Sequence, residues 1–127
     1  MKKREARLTT IFGKYLEISK PPLYGYYELK QTTKESLSFS SVEDHQYQKL
    51  KAVQEHGFRW KHSDVDPRQK AMDYQFTPPL TSYIVIRWKD VFTMITYDEF
   101  VHEKNTSSRK SITKDRALQI ASKIVFL

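Results

Sequence analysis

The chain has 127 residues, a formal charge of +7, 39% apolar residues and no cysteine. That length predicts one domain, residues 1–127, with a modest core; the apolar share argues against a disordered chain, and the missing cysteines exclude a disulfide framework or a thiolate zinc site. No apolar run matches a membrane span or a signal-peptide core, which predicts a soluble, cytoplasmic protein with no membrane partner, and 22 Lys and Arg against 15 Asp and Glu favour a phosphate-bearing one.

Met1 to Glu5 is a basic lead-in. From Glu5 to Ile18, Leu8, Ile11, Phe12, Tyr15 and Leu16 recur at helical spacing, and Pro21 and Pro22 stop the pattern. Tyr24 to Thr32 is strand-like and rich in Tyr. The polar stretch Thr33 to Ser41 leads into a helix, for which Ser40 and Glu43 form a candidate capping box. That helix carries Val42, Gln46, Leu50 and Val53 on one stripe and ends at Gly57. A short strand over Phe58 to Lys61 and a loop over His62 to Lys70 follow. Ala71 to Phe76 alternates as a strand, broken by Pro78 and Pro79. Tyr83 to Trp88 is the most apolar strand and the natural centre of a sheet, with Val91 to Thr96 pairing to it through Lys89-Asp90 as a hairpin. A short helix over Asp98 to Lys104, a basic loop over Asn105 to Ser111 and a last helix capped by Thr113 complete the chain. The order predicts an α/β fold, a central mixed β-sheet flanked by helices.

Chemistry concentrates on Glu28 and Lys30. Two residues apart on a strand, they share a face between aromatic neighbours. A Glu-x-Lys pair by itself is an ordinary salt bridge; a metal site needs more oxygen ligands. Asp73, in mid-strand between Met72 and Tyr74, is the best second carboxylate, because Asp is disfavoured in strands. If its strand lies beside Tyr24–Thr32, Glu28 and Asp73 hold one Mg²⁺ or Mn²⁺ between them, and Lys30 orients the attacking water. Glu5 is a further ligand from the first helix, and Glu17 a weaker one. Asp64 and Asp66 read as turn residues. Four scattered His form no zinc constellation.

The segment from Tyr26 to Gly57 resembles the core of the RecU-type Holliday junction resolvases, of the PD-(D/E)xK nuclease superfamily. The resemblance is carried by Glu28, Lys30, Ser38, Phe39, His45, Gln46 and Gly57, and YIVIRW matches the family's next core strand in character. It covers roughly residues 24–61 and 83–97. It implies a restriction-endonuclease-like sheet, a Mg²⁺-dependent endonuclease acting on DNA, branched DNA as a substrate, and a homodimer with two sites. It makes Gln46 an active-site neighbour that holds water or a substrate phosphate; His45 turns away from the helix stripe and reads as a surface or DNA-contacting residue without a metal role. The chain departs from the family in having no Asp upstream of Glu28, where the family's metal-binding Asp usually stands. Asp73 would then supply the migrated carboxylate.

Basic residues gather at Lys2, Lys3, Arg4 and Arg7, at Lys61, Arg68 and Lys70, and at Arg109, Lys110 and Lys114. Such residues follow a nucleic-acid backbone without reading sequence. Three readings stay open: a nuclease, from a recombination or repair system or from a phage or mobile element; a non-catalytic nucleic-acid-binding protein that keeps the nuclease-like fold; and a structural or inhibitory protein of a virus, which would share the size and charge.

Overall fold

A computed structural model describes residues 2–18, 24–62 and 73–127. Within α1 (Lys2–Ile18), Leu8 and Phe12 are buried one helical turn apart. β1 (Tyr26–Gln31) carries Glu28 and Lys30. β2 (Ser36–Ser38) runs into a single 3-10 turn, Phe39–Ser41, and then α2 (Asp44–His56). β3 (Arg59–His62) and β4 (Asp73–Phe76) pair with each other, and β5 (Ser82–Arg87) and β6 (Val91–Thr96) follow. The chain closes with α3 (Tyr97–Thr106), β7 (Ser111–Thr113), α4 (Lys114–Ile120) and β8 (Lys123–Phe126).

The central sheet has the order β1-β5-β6-β8. β1 runs parallel to β5, while β5–β6 and β6–β8 are antiparallel, so the sheet is mixed as the element order predicts. The parallel step requires a crossover, and α2 lies within it. β5 is central and its hairpin with β6 turns at Lys89-Asp90; the turn is closed by Trp88 N–H to the Val91 carbonyl and by the buried Trp88 Nε1–H to Thr93 Oγ1 at 3.0 Å.

Strand alternation sorts the core onto two faces. Val85, Phe92 and Met94 pack with Leu8 and Phe12 of α1, and Tyr27 and Leu29 join them. Ile84, Ile86 and Ile95 pack on the other side with Tyr47 and Leu50 of α2, Phe100 of α3 and Ala117 of α4. Tyr26 packs on that second side. Glu28 and Lys30, in register with Ile84 and Ile86, therefore stand on the α2 side, at the edge that β1 forms among the described residues.

Three expectations are corrected. The strand of Asp73 does not lie beside β1: β4 pairs with β3 in a separate two-stranded sheet, His62 opposite Asp73, and the neighbour of β1 is β5. The cause is local closure. Thr77 N–H donates to the Phe58 carbonyl and Phe58 N–H to Thr77 Oγ1, both at 2.8 Å, so the chain after Gly57 folds on itself as a hairpin. Asp73 stands at the end of that hairpin away from this junction. The cap of α2 is Glu43, not Ser40, because Ser38 already caps the 3-10 turn through Ser40 N–H. The basic loop ends one residue earlier than expected: Ser111 opens β7, which pairs with β2 of the polar stretch, with buried Leu37 opposite buried Ile112 as its apolar reason. The proline stop at Pro21 and Pro22, the loop with Asp64 and Asp66, and Arg68 and Lys70 lie outside the described residues.

Candidate active site

α2 is where the site is set. Its N-cap, Glu43, stands in a capping-box arrangement with Gln46: the Gln46 N–H donates to the Glu43 carbonyl at 2.9 Å, and Gln46 Oε1 accepts from the Glu43 N–H at 2.9 Å. With its oxygen so engaged, the Gln46 amide presents Nε2 in the other direction. It donates to Glu28 Oε1 at 2.8 Å. Lys30 Nζ reaches the same oxygen at 3.4 Å. One carboxylate oxygen thus takes both contacts.

Glu28 Oε2 has no partner among the described residues. It still reaches solvent, because no sealed-off side-chain oxygen or nitrogen among those residues lacks a hydrogen bond. The Glu28 and Lys30 side chains are 23% and 20% exposed, so the pair sits in a shallow recess rather than in free solution. Tyr26, on the same side of β1, has its phenol pushed above 10.0 by burial and by the Glu28 charge, and stays a neutral hydroxyl at neutral pH.

The segment before α2 is tied to this site from below. Tyr47 Oη donates to the Phe39 carbonyl at 2.9 Å, and the Phe39 N–H donates to the Lys110 carbonyl at 3.0 Å. These bonds bring Arg109 and Lys110 to a cavity of about 610 Å³, whose other lining includes Ser38, Ser40, Glu43, Asp44 and Lys104. Arg109 and Lys110 therefore stand beside the first turn of α2, the turn that holds Gln46. Burial, then the nearby Tyr97 and Asp44, push the Tyr47 phenol up to about 12.

Glu28, Lys30 and Gln46 are brought together. His45 turns outward and pairs with the exposed Glu43 at 3.2 Å, as expected of a surface residue. Lys3, Arg4 and Glu5 lie on α1, Lys61 on β3 and Asp73 on β4, with only their backbone described. Lys114 is drawn off into a bond with Asp90 at 3.0 Å, which holds the Asp90 carboxyl below its usual range and the ammonium above its own. Glu43 is a partner that sequence reasoning missed. The Glu43–Gln46 spacing carried the signal, since Gln is as good as Glu at the third helical position of a capping box.

Among the described residues no three His, Asp or Glu side chains form a metal-holding group, and no helix is long and apolar enough to cross a membrane. No protein-family model and no curated protein matches the chain.

Proposed function

We propose that the protein is a Mg²⁺- or Mn²⁺-dependent endonuclease that hydrolyses DNA phosphodiester bonds on a restriction-endonuclease-like sheet, as the resemblance to RecU-type resolvases implies. The supporting observation is the convergence of Lys30 and Gln46 on one oxygen of Glu28, which leaves the other turned to solvent. A hard divalent cation needs several oxygen ligands. Glu28 Oε2 suits one, and Glu5, on α1, is the further carboxylate of the proposal; the condition for Asp73 to share the ion, a strand beside β1, is not met, since β4 pairs with β3. When bound, the ion supplies charge stabilisation at the phosphate and lowers the pKa of a water.

The chain's own residues do the rest. Gln46 fixes the plane of the Glu28 carboxylate. Lys30 places a positive charge beside it, positioned to orient the attacking water and offset charge on the phosphorane-like transition state. Arg109 and Lys110, with Lys3, Arg4, Lys61, Arg68 and Lys70, hold the DNA backbone. Branched DNA, a homodimer with paired cuts, and a cytoplasmic setting belong to the same proposal and rest on the resemblance.

The second reading, a nucleic-acid-binding protein without catalysis, draws on the same geometry. Glu28 is already neutralised by Lys30 within the chain and needs no ion for that purpose. Cleavage of labelled branched and linear DNA in Mg²⁺ or Mn²⁺ separates the two. The nuclease reading expects cutting by the wild type and a loss of about 10²-fold or more in Lys30→Ala and Glu28→Gln, each still folded. Binding without cutting in any metal favours the second reading; cutting that is equal in wild type and Lys30→Ala removes Lys30 from the mechanism.

A further inference from the structure

A second cavity, of about 700 Å³, opens at the carboxyl ends of β1 and β5. Arg7, Lys34, Arg87 and Lys89 line it together with Gln31 and Thr32, and among the described residues no acidic one does. It is distinct from the Glu28 recess. Arg87 is in register with Gln31, and both alternate onto the α1 side of the sheet, opposite to Glu28 and Lys30.

Each wall is fixed by local structure. Arg7 directly precedes Leu8, which is buried against the sheet. Thr32 N–H donates to the Arg87 carbonyl at 3.1 Å and extends the β1–β5 pairing past the last residue of β1. Thr32 Oγ1 then accepts from Lys34 N–H at 3.1 Å and donates to the Ser36 carbonyl at 3.4 Å, which holds the turn carrying Lys34. Lys89 projects from the hairpin turn anchored by Trp88.

None of these four cations has an ion-pair partner among the described residues. Asp90, the carboxylate next to Lys89, is engaged by Lys114. Like charges gathered in one concavity repel each other, and the arrangement is eased by an anion that all of them share. Guanidinium groups suit phosphate oxygens as bidentate donors and ammonium groups suit them as point charges.

We infer that this cavity is a phosphate-binding cleft for the backbone of a nucleic acid, placed on the α1 side and apart from the Glu28 recess. It rests on the nucleic-acid reading above, and not on cleavage. Its cations come from α1, from the turn after β1 and from the β5–β6 hairpin, so they flank the ends of the strands rather than ring a single point. A chain of phosphates fits that layout better than one small anion.

The test is binding of a fluorescent single-stranded or duplex oligonucleotide in EDTA, followed by anisotropy across a salt series. Arg87→Ala, and separately Lys34→Ala with Lys89→Ala, should each raise Kd about tenfold at moderate salt and make the salt slope shallower by about one per cation removed. The lysine pair is exposed and serves if Arg87→Ala fails to fold. Lys51→Ala removes the same charge from the exposed face of α2 and should change Kd less than about twofold.

Wild-type Kd and slope in both cleft variants would overturn the inference, as would an equal loss in Lys51→Ala. Inorganic tripolyphosphate is the competing source: if it binds through Arg87 while DNA affinity ignores Arg87, the backbone assignment is wrong. Failure of the nuclease reading looks different. A wild type that never cuts, yet loses DNA in the cleft variants, removes the nuclease and leaves the cleft standing.

Discussion

Gln46 is held at both ends of one amide, and that makes it the most informative side chain to remove. Gln46→Ala deletes half of the capping box and the donor to Glu28 at once. The cap alone is worth about 1 kcal/mol, readable as a lower urea midpoint. If Gln46 only capped the helix, a glutamate in its place would serve equally, since Glu is the other residue of the motif. Gln46→Glu should instead retain the cap but set a carboxylate against Glu28, so its stability falls below that of wild type and, on the nuclease proposal, cleavage falls with it. Equal stability and equal cleavage in Gln46→Glu and wild type would show that the contact to Glu28 has no consequence. Tyr47→Phe tests the neighbouring anchor: it leaves the buried Phe39 carbonyl without its side-chain donor and should cost about 1–2 kcal/mol in denaturant unfolding. At this scale the sequence was readable where a residue stood out against its element. Gln46 on an apolar stripe and Glu28 between aromatics were visible as candidates. Arg87, Lys34 and Lys89 were not, because sequence clustering counts neighbours along the chain, while the cleft collects cations from three separate segments.

Among the elements, the turn from α2 into the β3–β4 hairpin is the tightest junction. Gly57 has φ +80°, and a Cβ there would run into the Thr77 carbonyl oxygen and lie 2.7 Å from that of Pro78. No side chain fits without moving backbone. Gly57→Ala should therefore cost roughly 2–5 kcal/mol, strain and displacement together, and should unseat the hairpin from Val53 and Tyr26 before the central sheet melts. Hydrogen exchange at Thr77 and Leu80, both bonded across this junction, reads that loss; unchanged protection there would show that the hairpin is held by something else. The glycine stop, the β5–β6 hairpin and the central position of β5 were all legible, since each leaves a local signature of turn residue or apolar alternation. Which strand lies beside β1 was not. Strand order is decided by competition between near and distant partners, and the nearby Phe58–Thr77 closure wins it for β4. β8 was also missed: KIVF is short, and in the fold it pairs as an edge strand that buries little.

For the whole molecule, two phenols on opposite faces of the sheet set a limit at alkaline pH. Burial, with Tyr83 and Tyr15 nearby, pushes Tyr27 up to about 12 on the α1 side, and Tyr47 is pushed to about 12 on the α2 side. Both lie above the ordinary 10.0 that the unfolded chain would show. Raised values favour the folded state while the phenols are neutral in both states. That contribution is complete below pH 10.0 and is lost as pH climbs toward about 12, because the unfolded chain ionises first. Thermal melts should fall across that window, and Tyr27→Phe with Tyr47→Phe should flatten the decline. A double variant that declines as steeply as wild type would assign the alkaline limit to other groups.

The shared amide of Gln46 has a dynamic side. Opening of the first turn of α2 and loss of the Gln46 contact to Glu28 are coupled, because the same side chain makes a bond in each. The fraction of molecules with that carboxylate aimed is therefore governed by helix-end fraying, and coupling of this kind runs in both directions. Anything that captures the aimed carboxylate slows fraying in return. The Glu43 amide proton, which leaves for solvent only when Gln46 lets go, becomes the reporter of whether the site is occupied, without any chemistry taking place.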